Sequence, residues 1–374
     1  MAEAEPPTPF EILPDDDEED MPMTQRGTPE PQQAEPLVAQ RAAFIHDRRG
    51  FETAISVSIA LFPVSFLLLN FYSWKLGLAL AVLNGFALAA LETVSSAPPN
   101  NGRRFTLFAR RHRAGRKPVL LCLGDSLTHG KCSTDFTMQI PIRLSQRLGL
   151  SEVPKAQPFQ DPLWVLNAGQ NLITSHTVLE RVEATLSCHP DYLLLMIGTN
   201  DCRGMYKKSW SQHVTRVNQL PEEPSLEALE RNLRAILDSI RRGSPHTRIA
   251  LATLPPMGEN LQSRSNKVIK DANEVISRVA GDCTVLPVFA TMAERIATKR
   301  WKWSLPVSMA IPVGLLQNLL YHSLPMKWSF LSAFFGHAVL TDGIHLNEVG
   351  ATIVADLTAE WLIQENVAAA LVES

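Results

Sequence analysis

The chain has 374 residues, of which 45% are hydrophobic and 20% charged, so it is long enough to bury a sizeable core beside accessory segments. Its formal net charge of −3 excludes nucleic-acid binding driven by the charge of the whole chain. The five cysteines are odd in number, and no pair has the Cys-x-x-Cys spacing of a metal site. We therefore expect reduced thiols, no metal and no cofactor.

Residues 1–45 predict a disordered, acidic, Pro-rich tail. The segment is rich in Pro, Glu, Asp and Gln, and residues 11–20 read EILPDDDEED. Such a composition cannot bury enough apolar surface to offset the entropy lost on ordering. The segment lacks the basic start and the apolar run of a secretory signal, so we do not expect it to direct export.

Residues 46–98 contain two apolar runs that predict a membrane hairpin. The runs cover about 55–72 and 76–91, and a Ser-Trp-Lys linker separates them. A single crossing would place Lys75 near the bilayer centre at a cost of about 3 kcal/mol. A turn at the linker would instead leave Trp74 and Lys75 at the interface, which both residue types favour. The alternative is a buried helical pair in a soluble core.

Basic residues flank both runs and predict the orientation of the hairpin. The residues before it are Arg41, Arg48 and Arg49, and those after it, in the linker over 99–117, are Arg103, Arg104, Arg110, Arg111, Arg113, Arg116 and Lys117. Because positive residues stay on the cytoplasmic side, we expect the rest of the chain on the cytosolic face of a membrane. The linker is a topology signal, a patch for anionic lipid head groups or a solvated connection.

From residue 118 to residue 374 the pattern changes to alternating strands and helices. Apolar runs predict buried strands at 118–124, 163–169, 191–198, 247–256 and 284–289. Helical periodicity predicts helices at 136–149, 175–187, 225–243, 264–280, about 290–300 and 347–365. Continuous apolar strands joined by helices are typical of a parallel sheet covered on both faces. The sequence therefore predicts a three-layer α/β/α sandwich with a five-stranded parallel sheet.

Four short polar or glycine-containing clusters follow these predicted strands or precede the last helix. They read GDSL (124–127), NAG (167–169), GTND (198–201) and DGIHLN (342–347). In open α/β sheets the reactive groups lie beyond the carboxyl ends of the strands. We therefore expect the four clusters to meet at one edge of the sheet.

These clusters, in this order, resemble the four blocks that define the SGNH hydrolases, also called the GDSL family. GDSLTHG (124–130) resembles the nucleophile block, Gly169 the glycine block, GTND the asparagine block and DGIHLN the Asp-x-x-His block. The likeness covers about 118–374. It implies a flavodoxin-like α/β fold and ester hydrolysis through an acyl-enzyme, without a cofactor.

The resemblance implies a role for each of five residues. Ser126 would attack the acyl carbonyl, and His345 would take its proton and later give it to the leaving group. Asp342 would orient the imidazole. The backbone N–H groups of Ser126 and Gly169 and the side-chain amide of Asn200 would form the oxyanion hole. Taken singly, each has a structural explanation, such as a helix cap at Ser126 or a turn at Asn200.

An apolar insertion, residues 301–337, precedes the DGIHLN block. From Trp303 to Met326 it contains no Asp, Glu, Lys or Arg. One membrane crossing here would put His345 across the bilayer from Ser126, and three prolines would interrupt a long helix. We therefore expect a lid or a membrane-lying surface beside the site. The alternative is an ordinary pair of core helices.

Together these features predict a membrane-attached serine esterase that acts on a lipid-derived acyl ester, such as a lysophospholipid, an acylglycerol or an acyl thioester. The expected partners are membrane lipids or the ester substrate, and no nucleic acid. An acyltransferase would use the same blocks. A catalytically silent membrane adaptor on a hydrolase fold would be expected to have lost part of them.

Overall fold

The computed structural model of the chain describes residues 117–130, 132–149, 163–301, 303–310, 313–314, 316–317, 320 and 326–367. The predicted tail (1–45), the predicted membrane hairpin (46–98) and the basic linker up to residue 116 lie outside these residues. Within the described ranges, no helix is both long enough and apolar enough to cross a membrane.

Five parallel strands form the sheet, as predicted. They are β1 (Val119–Gly124), β2 (Trp164–Gly169), β3 (Tyr192–Met196), β4 (Arg248–Ala252) and β5 (Thr284–Leu286), in the order β2-β1-β3-β4-β5. All neighbouring pairs are parallel, and Gly124 of β1 is paired with Gly169 and Met196 on its two sides. The chain passes from β1 to β2 on one side of β1 and then to β3 on its other side, so a topological switch point lies between β1 and β3. In open α/β sheets, ligands bind at such a switch point, beyond the carboxyl ends of the strands.

Helices cover both faces of this sheet. In chain order they are α1 (Ser126–His129), α2 (Ile140–Arg147), α3 (Ser175–Leu186), α4 (Thr199–Tyr206), α5 (Lys208–Val217), α6 (Leu226–Gly243), α7 (Arg264–Ala280), α8 (Val288–Ala297), α9 (Trp328–Phe334) and α10 (Glu348–Gln364). On one face α6 packs between α3 and α7, and on the other α10 packs between α2 and α8. The predicted three-layer sandwich is therefore confirmed.

Four elements differ most from the prediction. The sequence pattern did not predict α4 and α5, which follow β3 directly. The fourth and fifth strands are shorter than the predicted 247–256 and 284–289, and end at Ala252 and Leu286. The fifth strand ends there because Pro287 has no N–H to donate to the sheet, and α8 begins at the next residue.

The core on the α10 side of the sheet is filled by large apolar side chains. Leu120 of β1 and Leu194 of β3 are almost fully buried, as is Trp361 of α10. The Trp361 ring meets Tyr192 edge-on, with ring centroids 5.8 Å apart. This contact ties the last helix to the middle of the sheet, and the N-terminal end of the same helix follows the DGIHLN block.

The described part of the apolar insertion is divided between core and surface. Ala310, Val313 and the side chains of Trp328 and Leu331 are buried. Exposed apolar side chains are Trp301, Trp303, Met309, Leu316, Phe330 and Phe334. The segment is therefore packed onto the domain and also presents apolar groups to the solvent.

Candidate active site

Ser126 stands at the sharp turn from β1 into α1. Gly124 permits this turn, because a Cβ there would lie 2.4 Å from the carbonyl oxygen of Met196 on the neighbouring strand. Asp125 caps the helix, and its Oδ1 accepts the N–H of Leu127 at 3.0 Å. As the first residue of α1, Ser126 has no acceptor for its own N–H within the helix. The hydroxyl and the backbone N–H of Ser126 therefore lie together at the carboxyl edge of the sheet.

The loop before α10 presents an imidazole. Oδ1 of Asp342 accepts the backbone N–H groups of Ile344 and His345, both at 2.9 Å. Its Oδ2 lies 2.8 Å from Nδ1 of His345. The N–H of Thr341 donates to the His345 carbonyl at 2.6 Å and closes the loop. Gly343 has φ +94°, which other residue types rarely adopt, so glycine allows this turn.

The structure brings Ser126, His345 and Asp342 into one chain of contacts. Nε2 of His345 lies 3.0 Å from Oγ of Ser126. When Nδ1 donates to the Asp342 carboxylate, Nε2 of a neutral ring is left as the acceptor for the hydroxyl proton. The His345 side chain is 18% exposed and that of Asp342 only 6%, so the ring is reachable while the carboxylate is shielded. This arrangement of hydroxyl, imidazole and carboxylate can support nucleophilic catalysis.

The carboxylate of Asp342 is held in its ionised form. Burial raises the pKa of this carboxyl, but the charge of His345 and the hydrogen bonds from His345 and Ile344 outweigh burial and lower the pKa to about 2. A negative charge is therefore present beside the imidazole at neutral pH. Such a charge stabilises the imidazolium that forms when His345 takes a proton.

Two further acidic residues of the sequence clusters face the protein interior. Burial raises the pKa of Asp125 to about 6, against the opposing effects of the Leu127 N–H and the charge of His345. Asp201 accepts both the N–H and the hydroxyl of Ser175, the latter at 2.6 Å. Burial raises the pKa of Asp201 as well, and the bonds from Ser175 oppose this. Both residues therefore shape loops at the edge of the sheet.

Asn200, which is predicted to be a donor of the oxyanion hole, lies at the beginning of α4. It is buried in the first turn of α4, and one proton of its Nδ2 goes to the carbonyl of Ile173 at 2.9 Å. The amide group carries two protons, so the second one remains for another acceptor. Asn200 follows β3 and Ser126 follows the neighbouring strand β1, so both residues lie at the same switch point.

Gly169, whose backbone N–H is predicted to belong to the oxyanion hole, ends β2. Its backbone N–H donates to Oδ1 of Asn167 at 3.0 Å, so this group is engaged inside the protein. A Cβ at position 169 would lie 2.2 Å from the backbone nitrogen of His129. Glycine is therefore required at position 169 because the end of α1 packs against β2.

Sequence reasoning missed the residues that hold the two loops in place. Asn167 donates to the carbonyl of Thr128 at 2.8 Å and so fixes the end of α1. Asn167 belongs to the NAG cluster, but the prediction assigned a role in that cluster only to Gly169. A buried asparagine at a strand end, where backbone groups are unpaired, could have indicated this role.

A buried ion pair anchors the chain that leads into the DGIHLN loop. Glu259 accepts the backbone N–H groups of Ala338, Val339 and Leu340 at 2.7 to 3.2 Å. Nζ of Lys299 lies 3.2 Å from the same carboxylate, and the two side chains are 6% and 0% exposed. No sequence pattern links residues so far apart, so this anchor could not be predicted.

The apolar insertion lies against the same loop. Nε2 of Gln317 donates to the carbonyl of Thr341 at 3.0 Å. A Cβ at Gly314 would lie 2.9 Å from Oδ2 of Asp342, so the insertion backbone passes directly over this carboxylate. In the part of the chain that the structure describes, no cluster of three or more His, Cys, Asp or Glu residues could hold a metal ion.

Comparison with known proteins places this site in a family. The model of the GDSL-like Lipase/Acylhydrolase family matches residues 122–307, which include Ser126 and Asn200 and end before Asp342. Among solved structures, the chain is similar to LAE5, an alpha/beta hydrolase enzyme from the metagenome of Lake Arreo, Spain. The identity is 15%, the match covers 67% of this chain and 95% of LAE5, and the TM-score is 0.45.

The chain is also similar to Axe2, an acetylxylan esterase from Geobacillus stearothermophilus. Here the identity is 17%, the match covers 65% of this chain and 93% of Axe2, and the TM-score is 0.45. A search of curated protein sequences found no match. On the strength of the family match, the chain belongs to the GDSL-like lipases and acylhydrolases, also called SGNH hydrolases, and is an enzyme that hydrolyses ester bonds.

Proposed function

We propose that the protein is a serine esterase whose triad is Ser126, His345 and Asp342. The contacts of 3.0 Å from Ser126 to His345 and 2.8 Å from His345 to Asp342 carry this proposal. Ser126 Oγ attacks the ester carbonyl carbon while its proton passes to Nε2 of His345. The imidazolium then protonates the alcohol oxygen as the bond to the acyl carbon breaks. A water molecule, deprotonated by the same ring, hydrolyses the acyl-enzyme.

Two donors would stabilise the negative oxygen that forms in each step. They are the N–H of Ser126, which has no acceptor within α1, and the second amide proton of Asn200. We leave Gly169 out of this oxyanion hole because its N–H is bonded to Asn167.

A fluorophosphonate probe tests the nucleophile, because it reacts covalently with an activated serine. We expect labelling of the wild type and none of Ser126→Ala. Ser187→Ala is the matched control: Ser187 follows the last residue of α3 at the opposite edge of the sheet, and its hydroxyl donates to the carbonyl of Ala184. Absence of labelling in both the wild type and the control would favour the catalytically silent adaptor.

The surface beside the triad supports a lipid-derived acyl ester as the substrate. The insertion contacts the loop of Asp342 through Gly314 and Gln317, and the same segment exposes Leu316 next to these contacts. Further along it, the exposed rings of Phe330 and Phe334 meet edge-on with centroids 5.1 Å apart. Clustered exposed apolar groups are typical of a lipid or membrane contact.

A series of soluble esters with increasing acyl length tests this substrate class. Each buried methylene adds about 0.8 kcal/mol of binding, so kcat/KM should rise by up to about fourfold per added methylene. Phosphatidylcholine vesicles should raise the rate on the longest esters. Phe334→Ser should reduce this gain relative to Val217→Ser, which removes an exposed apolar side chain outside the insertion. Efficient cleavage of short esters with no gain from length or vesicles would contradict the proposal.

Two parts of the proposal rest on the sequence. Transfer of the acyl group to an alcohol would use the same triad, and product analysis in the presence of glycerol separates it from hydrolysis.

Attachment to the cytosolic face of a membrane through residues 46–98 remains a proposal. Retention in the membrane fraction after alkaline carbonate washing, lost on deletion of 46–98, is the expected result.

A further inference from the structure

A second polar side chain of α4 lies one turn after Asn200. Arg203 is partly buried, and its guanidinium carbon is 3.5 Å from the centre of the Trp210 ring. Trp210 is itself packed against His213, with ring centroids 5.0 Å apart. Stacking on an aromatic ring uses the face of a guanidinium and fixes its plane, so the N–H groups along its edge remain for other partners.

Among the described residues, this guanidinium forms no ion pair or hydrogen bond, and it contacts the Trp210 ring. Burial lowers the pKa of Arg203 to about 10, and the nearby carboxylates of Asp342 and Asp125 act in the opposite direction. Arg203 therefore stays protonated at neutral pH. Both carboxylates bond elsewhere, Asp342 to His345 and Asp125 to Leu127.

A partly buried cation is stabilised by a group of opposite charge, and among the described residues the edge of this guanidinium bonds to none. The guanidinium offers five donors and no acceptor, in a fork that matches the two oxygens of a phosphate or carboxylate. Arg203 follows Asn200 by three residues on α4, the helix that begins just after β3, and Ser126 follows the neighbouring strand β1. A ligand bound to Ser126 would therefore be near Arg203.

We propose that Arg203 binds an anionic oxygen group, a phosphate or a carboxylate, on the ester substrate and makes the enzyme selective for anionic esters. This inference rests on the proposed esterase function. It differs from a role in which Arg203 only offsets the charges of Asp342 and Asp125. Charge compensation would affect all ester substrates alike, whereas recognition affects only those that carry the anion.

Three soluble octanoyl esters that differ only in their alcohol part provide the test. The alcohols are ethylene glycol, which is neutral, glycolate, which carries a carboxylate, and hydroxyethyl phosphate. Charge-assisted hydrogen bonds of the expected kind correspond to a preference of about 10- to 100-fold in kcat/KM. We expect the wild type to prefer one of the anionic esters by this factor, and the preferred ester identifies the anion.

Substitution then assigns the preference to Arg203. Arg203→Gln should bring the ratio of anionic to neutral kcat/KM close to one, and Arg203→Lys should restore only part of it because an ammonium lacks the fork. Arg231→Gln is the control, since Arg231 pairs with Glu222 on the exposed surface of α6. An equal loss on all three esters after Arg203→Gln would establish charge compensation and overturn the proposal.

The wild type alone also tests the proposal if the variants fail to fold. Added salt should lower kcat/KM for the anionic esters and leave the neutral ester nearly unaffected, because salt screens the attraction of Arg203. Wild-type enzyme that cleaves all three esters equally well overturns anion recognition while the esterase function stands. Wild-type enzyme that cleaves none of them and resists the fluorophosphonate probe overturns the proposed function itself.

Discussion

Asp342 contacts His345 twice. One carboxylate oxygen accepts the backbone N–H of His345 at 2.9 Å, and the other lies 2.8 Å from its ring nitrogen Nδ1. The same side chain therefore fixes both the turn of the loop and the direction of the ring. As a result, Nε2 points at Ser126, which lies 219 positions earlier in the chain. A spacing of three residues suffices for this because the turn itself is built on the carboxylate.

Asp342→Asn should separate the two functions of this side chain. The amide oxygen can still accept the N–H groups of Ile344 and His345, so the turn persists. The amide nitrogen cannot accept the Nδ1 proton, so the ring loses its productive tautomer, and kcat should fall about 10,000-fold. Activity on a soluble ester and the melting temperature are the measurements.

Asp342→Ala is the matched comparison, because it removes the turn as well as the ring partner. It should therefore lower both kcat and the melting temperature. Retention of kcat within about tenfold of wild type in Asp342→Asn would contradict the assigned role, since a wrong tautomer is expected to cost far more.

Asn200→Ala and Gly169→Ala should differ in what they change. Loss of the Asn200 amide should lower kcat about 100- to 1,000-fold with little effect on KM, because the donor acts on the developing oxyanion. Gly169→Ala should instead destabilise the fold, because the new Cβ would lie 2.2 Å from the nitrogen of His129. Kinetics and urea unfolding of both variants check this. A stable Gly169→Ala variant with a large loss of kcat would return the glycine N–H to the oxyanion hole.

Lys299→Met should destabilise the domain, because it leaves the buried carboxylate of Glu259 without its cation. Breaking a buried pair by removing one partner typically costs about 3 to 5 kcal/mol in the free energy of unfolding. The double variant Glu259→Gln with Lys299→Met should recover part of this loss, because no charge is then left unpaired. Urea unfolding of the wild type, of Lys299→Met and of the double variant measures these free energies. A cost below about 1 kcal/mol for Lys299→Met would show that water compensates the carboxylate.

The strands and the four clusters at their ends could be predicted because their signals are local. An apolar run of buried-strand length followed at once by small or polar residues marks both a strand and its reactive end. The loop of Asp342 and His345 belongs to the same class, since both partners lie within one turn. The contact between His345 and Ser126 followed from the topology, which brings strand ends to one edge.

The remaining features depend on contacts between distant residues, which no local pattern encodes. Helix α4 was not predicted because Gly204 lowers the helix propensity of this segment. The structure explains this glycine, since a Cβ there would lie 2.7 Å from the ring of Pro224. The pairing of Glu259 with Lys299 spans 40 positions and that of Glu259 with Val339 spans 80. The stack of Arg203 on Trp210 joins two helices that were not predicted.

Asp125 makes the stability of the fold depend on pH in an unusual direction. Burial raises its pKa from an ordinary value of 3.8 to about 6. Because the folded pKa is higher, the unfolded state loses this proton first, at lower pH. The contribution of the protonated carboxyl to stability is complete below about pH 4 and is lost as the pH rises through 6. By pH 8 this loss lowers the free energy of unfolding by about 3 kcal/mol relative to its value below pH 4.

Asp125→Asn should therefore be more stable than the wild type at about pH 8, and the advantage should vanish towards pH 4. The amide keeps the acceptor for the Leu127 N–H but carries no charge that burial could penalise. Unfolding free energies in urea across this pH range measure the effect. Asp238→Asn, which alters an exposed carboxylate of α6, should stay within about 0.5 kcal/mol of wild type throughout. A stability difference for Asp125→Asn that does not change with pH would mean that the carboxyl keeps its ordinary pKa, because only a pKa shifted by burial makes the difference grow between pH 4 and 6.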